Sequence, residues 1–359
     1  MRIGVLGTGR IGLMHARNLA QTAGVDEVVL MGRDPARLAV AVKQVTAALQ
    51  PDAPAKLAGD LAPGGPAATV TAGTGLTEDL PALAGVVVAT STSTHPAFAL
   101  EIARAGVPSL VEKPLALDPD QLTALADELD ELGTEVMVAF HRRYDPGHQR
   151  LRQRILDGDA GTVRAVTATG HDHPALSPAY IPTSGGIWLD MLIHEFDTIP
   201  WVTGQRVRSV WATGTVLDAP VHAQYGDVDT ALAVLVLESG AAATVSGVRR
   251  NGAGQDVRLE VFGSLGSFAA GLDSRTPLTS TEPSVNPPAP PYDEFIDRFE
   301  RAFRAEADAF VRLASGAGGN LTPPRDGLVA IRIAHAAAES IRTGRTVDLD
   351  ETFQPTGLR

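Results

Sequence analysis

Short apolar runs alternate with amphipathic segments along the first 140 residues of the chain. The runs are rich in Val, Ile and Leu and predict strands, whereas the longer segments have the apolar spacing of helices. The predicted strands are Ile3–Leu6, Val28–Met31, Val86–Ala89, Ser109–Val111 and Val136–Ala139, and the predicted helices cover 11–23, 34–49, 96–105 and 118–132. Because strands that alternate with helices form covered parallel sheets, we predict an α/β domain over residues 1–139.

Residues 50–76 interrupt this alternation. The stretch is dominated by Ala, Gly and Pro, and Gly and Pro favour turns and irregular backbone over helices and strands. Structureless segments of this length are uncommon inside compact domains. We therefore predict that residues 50–76 form an inserted surface loop.

After Phe140 the pattern changes to β-rich runs that follow one another without long helices between them. These runs cover 162–169, 207–216, 230–237, 241–248 and 257–262, and helical segments are predicted at 293–314 and 325–342. The tripeptide Glu238-Ser239-Gly240 separates two of the runs and is typical of a hairpin turn. We predict a second, α+β domain over residues 140–359, built on a large, mainly antiparallel open sheet.

Composition and charge exclude several classes of partner. The formal net charge is −12 and no basic run occurs, which argues against nucleic acids and anionic membranes. No apolar stretch reaches the roughly 18 residues that a membrane span needs, and the apolar run after Met1 is too short for a signal peptide. With no cysteine, the chain forms neither disulfides nor thiolate metal sites. We expect a soluble, cytoplasmic protein that binds a small molecule.

A glycine-rich turn directly follows the first predicted strand and opens the first predicted helix. In a G-x-G-x-x-G motif the first glycine allows the tight turn, the second lets the backbone approach a pyrophosphate, and the third packs helix on strand. The alternative is an ordinary glycine-rich turn, but the strand and helix context favours a dinucleotide site. Its predicted residues are Gly7, Gly9, Arg10, Ile11 and Gly12.

The choice between NAD and NADP depends on the residues some twenty positions further on. An acid there binds the ribose 2′-hydroxyl of NAD. This chain instead has Gly32 followed by Arg33, which leave room and a cation for the 2′-phosphate of NADP. Alternatively, Asp34 binds the ribose and Arg33 faces solvent. The sequence favours NADP, with NAD as the alternative.

Lysine is rare in this chain: three of its 30 cationic side chains are lysines, and one of these is Lys113 in Glu112-Lys113-Pro114. The tripeptide closes the predicted strand at 109–111, where an α/β fold carries functional groups. An ammonium group can exchange its proton, whereas guanidinium stays charged. Lys113 is therefore a candidate catalytic residue.

A second candidate set lies in the segment 184–197. A helix that begins near Trp188 would place Asp190 and His194 four residues apart on one face. A carboxylate beside an imidazole favours the protonated form of the ring. Such a ring is suited to act as the base that accepts the proton of an alcohol during hydride transfer. Two alternatives stay open: a plain surface pair, and a metal site that also uses His171 and His173.

These three motifs, in this order and at this spacing, resemble the Gfo/Idh/MocA family of oxidoreductases over nearly the whole chain. Within the family, the runs 140–145 and 184–197 look most like inositol 2-dehydrogenases, as do Val228-Asp229-Thr230 and the run 258–264. The chain departs from that group at 249–256, which lacks an aromatic residue that some inositol enzymes place against the substrate. The resemblance implies an N-terminal Rossmann-type sheet and an NAD(P)-dependent dehydrogenase of a cyclic polyol.

The resemblance also implies roles for single residues. Lys113 would hold the reacting hydroxyl, next to a peptide bond to Pro114 that is usually cis in the family, and His194 would be the general base paired with Asp190. Substrate contacts are implied for Arg142 and His171, and cofactor contacts for Thr90, Ser91, His95, Glu112 and Lys113.

Other functions remain open. A different dehydrogenase would act on another sugar or sugar derivative, an NAD-dependent glycosidase would give no net NAD(P)H, and a regulator would bind NADP without turnover. Family members are commonly tetramers, and an open sheet offers a face for self-association, so we expect a homo-oligomer, either a tetramer or a dimer.

Overall fold

The computed structural model describes residues 1–50, 67–283 and 285–349. The chain divides into two compact units. The first consists of Met1–Tyr144 and Glu300–Gly327, and the second of Asp145–Phe299 and the residues from Leu328 onward. None of the helices in the described ranges has the length and apolarity needed to cross a membrane.

The first unit is built on six parallel strands in the order β3-β2-β1-β4-β5-β6. This order is that of a Rossmann fold, as the sequence predicted, and it places the end of β1 at the centre of the sheet where the strand order reverses. The strands are β1 (Arg2–Leu6), β2 (Glu27–Met31), β3 (Thr69–Ala72), β4 (Gly85–Val88), β5 (Ser109–Val111) and β6 (Val136–Val138).

The helices of this unit begin at recognisable caps and proline residues. Asp34 and Asp118 cap two of them with their side chains, and a proline follows each cap at the first helical position. The helices are α1 (Arg10–Ala20), α2 (Pro35–Ala48), the short α3 (Leu76–Asp79), α4 (His95–Arg104) and α5 (Pro119–Leu132), with 3₁₀ turns at Leu80–Ala82, Thr92–Thr94 and His141–Tyr144.

The predicted loop at 50–76 is corrected in part. Residues 51–66 lie outside the described ranges, but Thr69–Ala72 form β3, which pairs in parallel with β2, and α3 begins at Leu76. The strand escaped prediction because it is four residues long and lies at the sheet edge, where none of its side chains is fully buried. Its sequence therefore lacks the apolar run of the central strands.

The division into units also differs from the predicted boundary at residue 140. Phe310, which is completely buried, belongs to the same apolar cluster as Ile3 and Val5 of β1. A helix far along the chain thus completes the core of the first unit. The predicted helix at 293–314 is in fact two helices, the short α11 (Phe295–Arg298) and α12 (Glu300–Ala314), and α13 (Pro324–Thr343) follows.

The second unit is built on a seven-stranded mixed sheet in the order β12-β11-β7-β10-β9-β8-β13. Neighbouring strands in this sheet run antiparallel, except for the pair β7 and β10, which run parallel. Exposed Trp211, Leu232 and Phe262 lie on this sheet, which agrees with the predicted open α+β architecture. The strands are β7 (Val163–His171), β8 (Val207–Thr215), β9 (Thr230–Leu237), β10 (Ala242–Val248), β11 (Asp256–Gly263), β12 (Ser267–Ala270) and β13 (Val347–Asp348).

Besides α11 and most of α13, the second unit contains helices that precede β9 in the sequence. They are α6 (Pro146–Leu156), α7 (Ile181–Ser184), α8 (Gly186–Asp190), α9 (Ile193–Thr203) and α10 (Val221–Gln224). The sequence did not predict α6, because the helix is mostly polar and buries only His148 and Leu151. The helix α9, in contrast, is buried at every position.

Candidate active site

The glycine turn between β1 and α1 has a shape that only glycine permits. Gly7 has φ 115°, and a Cβ there would lie 2.3 Å from the carbonyl oxygen of Ala89. A Cβ on Gly12 would lie 2.1 Å from the carbonyl oxygen of Gly7, whereas a Cβ on Gly9 would meet nothing within 4 Å. The open space at Gly9, before the first N–H groups of α1, fits a dinucleotide pyrophosphate, with Arg10 and Ile11 in the first helical turn.

The residues that follow β2 are the candidates for contact with the ribose of a dinucleotide. Asp34 caps α2: its Oδ1 accepts from the backbone N–H of Ala36 at 2.9 Å and of Arg37 at 3.2 Å. Arg33 is exposed, and a Cβ on Gly32 would be in ordinary contact with Thr8, at 3.5 Å. The carboxylate of Asp34 is therefore engaged in the helix cap, and Arg33 is the exposed charged group beside the glycine.

The loop after β4 is tied to the Glu112-Lys113-Pro114 tripeptide by His95. The His95 ring is buried, and its Nδ1 lies 2.9 Å from the carbonyl oxygen of Pro114 while its Nε2 lies 3.2 Å from that of Thr90. Thr90 and Thr94 share a hydroxyl hydrogen bond of 2.7 Å, and Ser91 is exposed. His95 thus positions the loop through its ring, and of the three predicted cofactor contacts on this loop, Thr90, Ser91 and His95, Ser91 is the exposed one.

Lys113 is half-buried at the end of β5, and its peptide bond to Pro114 is cis, as the resemblance implied. Glu112 is turned inward: its Oε1 lies 2.8 Å from Nε2 of His15, and its Oε2 accepts from the backbone N–H of Lys113 at 3.2 Å. Burial raises the pKa of Glu112, but the His15 hydrogen bond and nearby positive charges outweigh it, so that this pKa lies below its ordinary value. Sequence reasoning missed His15, which is 97 residues away from Glu112 along the chain.

The helix predicted from Trp188 through His194 is wrong. The chain forms α8 up to Asp190, turns at Met191 and Leu192, and starts α9 at Ile193. Asp190 and His194 are therefore not related by the spacing of one continuous helix. The apolar run that covers the break is compatible with a helix, which is why the pattern did not reveal it.

Two glycines on the sheet explain how the break is accommodated. Gly170 of β7 and Gly247 of β10 are paired in register. A Cβ on Gly247 would lie 2.7 Å from Leu192, and a Cβ on Gly170 would lie 2.7 Å from Oε1 of Glu195. The missing side chains let the turn and the first residues of α9 lie directly against the sheet, with His194 between Leu192 and Glu195 in the sequence.

Asp190 is held by two donors that the sequence did not indicate. The hydroxyl of Tyr180 donates to its Oδ1 at 2.9 Å, and Nη1 of Arg249 donates to its Oδ2 at 2.7 Å. His194 is buried, with 8% of its surface exposed. Arg249 directly follows β10, and only the sheet register brings it near Asp190, so no local pattern could have found the pair.

His171 lies at the end of β7, where its Nε2 is 2.9 Å from the hydroxyl of Ser246. Burial lowers the pKa of His171, against an opposing effect of Asp256. Asp172 directly follows His171, and its Oδ1 accepts a hydrogen bond from Nε2 of Gln255 at 2.8 Å. Burial raises the pKa of Asp172. Among the residues that the structure describes, no group of three potential ligands could hold a metal ion.

The candidate residues are distributed over both units. The first unit contains the glycine turn, Arg33, the loop after β4, Lys113 and the buried Arg142, and the second contains His171, Asp190 and His194. In the first unit the ring of His141, next to Arg142, stacks on Phe303 with centroids 4.3 Å apart.

The fold and the glycine turn define a dinucleotide-binding oxidoreductase. Residues 1–140 match the family described as "Oxidoreductase family, NAD-binding Rossmann fold", and residues 148–269 match the GFO/IDH/MocA C-terminal domain. The chain therefore belongs to the Gfo/Idh/MocA family of oxidoreductases.

Relatives match along almost the full length of the chain. It is 35% identical to inositol 2-dehydrogenase from Rhizobium meliloti, covering 97% of this chain and 99% of the relative. It is 32% identical to myo-inositol 2-dehydrogenase from Thermotoga maritima, covering 98% and 100%. The crystal structure of a myo-inositol dehydrogenase from Corynebacterium glutamicum has a TM-score of 0.80 at 28% identity, covering 98% of this chain and 99% of that one.

Proposed function

We propose that this enzyme oxidises a CH–OH group of a cyclic polyol, with an inositol as the leading substrate. The observation that carries the proposal is the carboxylate of Asp190, fixed by two donors four residues before the buried His194. In the pairing proposed here, the held carboxylate of Asp190 would stabilise the His194 ring, which becomes positively charged when it takes a proton. Full-length relatives named as inositol dehydrogenases support the same substrate class.

In the proposed reaction, bound NAD(P) accepts the hydride at its nicotinamide ring. His194 accepts the hydroxyl proton at a ring nitrogen, and Asp190 stabilises the resulting imidazolium. Lys113 donates to the reacting oxygen and stabilises its developing negative charge. Arg142 and His171 are proposed to bind further hydroxyls, and Thr90, Ser91, His95 and Glu112 to bind or position the cofactor.

A panel of inositols, other polyols and sugars, each assayed with NAD and NADP, tests the proposal. We expect an inositol to give the highest kcat/KM and stoichiometric formation of reduced cofactor. A sugar or sugar acid as the preferred substrate would show that the enzyme is a different dehydrogenase of the same family. Cleavage of a chromogenic glycoside without net reduction would support a glycosidase, and cofactor binding without turnover of any compound would support a regulator.

For the cofactor we propose a preference for NADP, with NAD as the alternative. Three residues next to one another support this preference. Position 32, where an acid would bind the 2′-hydroxyl of NAD, is a glycine, and the carboxylate of Asp34 is engaged in the cap of α2. Arg33 between them is exposed. The family description names NAD, so the proposal concerns the 2′-position of this chain alone.

Replacement of Arg33 by alanine should lower kcat/KM for NADP by about 10- to 100-fold and leave NAD unchanged, because a charge-assisted hydrogen bond contributes about 1.5–3 kcal/mol. Initial rates with both cofactors measure this effect. Arg37→Ala is the matched control, since Arg37 is an exposed arginine on the adjacent helix. Tighter binding of NAD than NADP by the unaltered enzyme would overturn the preference.

We also propose a cytoplasmic location and self-association as a dimer or tetramer. The net charge of −12 supports a freely diffusing protein. Exposed Trp211, Leu232 and Phe262 on the sheet of the second unit support a contact between copies.

A further inference from the structure

Arg249 is a buried arginine immediately after β10, with 2% of its surface exposed. Its Nη1 donates to Asp190 at 2.7 Å, and its Nη2 lies 3.9 Å from Oδ2 of Asp227, beyond hydrogen-bonding distance. Its Nε and Nη2 have no hydrogen-bond partner in the part of the chain that the structure describes. Buried donors without partners destabilise a fold, so stability alone does not account for an arginine at this position.

The two carboxylates near Arg249 lie at opposite ends of α8. Asp227 accepts from the backbone N–H of Ile187, in the first turn of the helix, at 2.9 Å, and its other oxygen lies 3.1 Å from Nδ1 of His222. Asp190 is the last residue of α8. Arg249 therefore lies where it can fix the carboxylate of Asp190 relative to the sheet, while the rest of α8 is anchored by Asp227.

The surrounding charges give Arg249 a second effect. The charge of Arg249 acts on the half-buried Asp172, together with the charges of Asp190 and Glu195. Several carboxyl groups thus converge around one guanidinium. A cation that donates directly to Asp190 stabilises the negative charge of this carboxylate, whose side chain is only 12% exposed to water.

We infer that Arg249 is a positioning residue, which holds the carboxylate of Asp190 in the orientation that His194 needs as the base. The inference rests on the proposed function, because it assigns Arg249 a part in the same proton transfer. Arg249 itself touches neither substrate nor cofactor in this role. Its effect on turnover passes entirely through Asp190.

A double-mutant cycle tests this dependence. We expect Arg249→Gln to lower kcat by about 10- to 100-fold, because misplacement of a catalytic group by about 1 Å costs up to about 10²-fold. The KM for the cofactor should stay unchanged, since the glycine turn belongs to the other unit. In an Asp190→Asn background, the same change should have no further effect on kcat. Arg249→Lys, which keeps the charge and one donor, should restore part of the rate.

The matched control is Arg250→Gln. Arg250 is the adjacent arginine, but it is exposed and pairs with Asp218. This variant should keep the kcat of the unaltered enzyme. Equal losses of kcat from Arg249→Gln with and without Asp190 would overturn the inference, as would a fully active Arg249→Gln. Thermal unfolding of each variant identifies any that fails to fold, and Asp190→Asn alone then tests the pair from its other side.

A separate measurement distinguishes failure of the inference from failure of the proposed function. If the unaltered enzyme oxidises no polyol or sugar, the proposed function fails. The histidine ring signals in NMR spectra still report on Arg249, with the His194 signal assigned by its loss in His194→Ala. Arg249→Gln should shift that signal, and in the Asp190→Asn background it should not. A shift that persists without Asp190 contradicts the inference.

Discussion

His194→Ala is expected to lower kcat by about 10²- to 10⁴-fold, the usual contribution of a general base. The loss should appear at every substrate concentration, because the imidazole accepts the proton in the transition state rather than binding the ground state. Dissociation constants for NAD and NADP should be unchanged, since the glycine turn lies in the other unit. Steady-state kinetics and fluorescence titration of the cofactor measure the two quantities.

Lys113→Met should cause a loss of similar size, because methionine is an unbranched side chain only one atom shorter than lysine but neither donates a hydrogen bond nor carries charge. Lys43→Met is the control: Lys43 is exposed on α2, outside the candidate site. A near-normal kcat in either His194→Ala or Lys113→Met would contradict the proposed mechanism. If only Lys113→Met were inactive, the base would have to be sought elsewhere.

The sequence predicted the parts of this site that depend on neighbouring residues. The glycine turn was found because its three glycines act within six residues, between a strand and a helix that each have their own pattern. The candidate Lys113 followed from one tripeptide, whereas the cis peptide bond after it was implied by the family resemblance. In both cases a few consecutive residues determine the functional groups as well as the backbone conformation that carries them.

The remaining features depend on residues that are distant in sequence. The break between α8 and α9 is accommodated by Gly170 and Gly247, which lie on paired strands and allow Leu192 to approach. Arg249 reaches Asp190 across 59 positions of the chain. No period or motif reports such contacts, because they are created by the register of the second sheet.

A buried acid in the first unit leads to the second large effect, on stability. Glu306 on α12 is fully buried, and neither carboxyl oxygen has a hydrogen-bond partner among the residues that the structure describes. Burial first, and then the charge of Glu112, raises its pKa well above the ordinary value of 4.5. The native protein therefore holds Glu306 protonated at a pH at which the unfolded chain releases the proton.

The sign of the pH dependence follows from this difference. Below the ordinary glutamate pKa of 4.5, both states are protonated and Glu306 adds no pH-dependent cost. Above that pH the unfolded state gains stability from ionisation, so the contribution of Glu306 to folding falls as the pH rises toward its native pKa. The negative charge of Glu112 contributes to the raised pKa of Glu306. The hydrogen bond between Glu112 and His15 holds the Glu112 carboxylate in its position.

Glu306→Met should therefore raise the free energy of unfolding at pH 7 by about 1–3 kcal/mol, the cost of an unpartnered buried polar group. Methionine fills a similar volume without a polar hydrogen-bonding group to desolvate, so packing should be retained. Urea unfolding at pH 5 and pH 8 measures the effect, and the gain should be larger at pH 8. Asp308→Asn, on the exposed face of the same helix, is the control and should leave the stability unchanged. A gain that shrinks as the pH rises would mean that Glu306 is ionised in the native protein and stabilised by a cation.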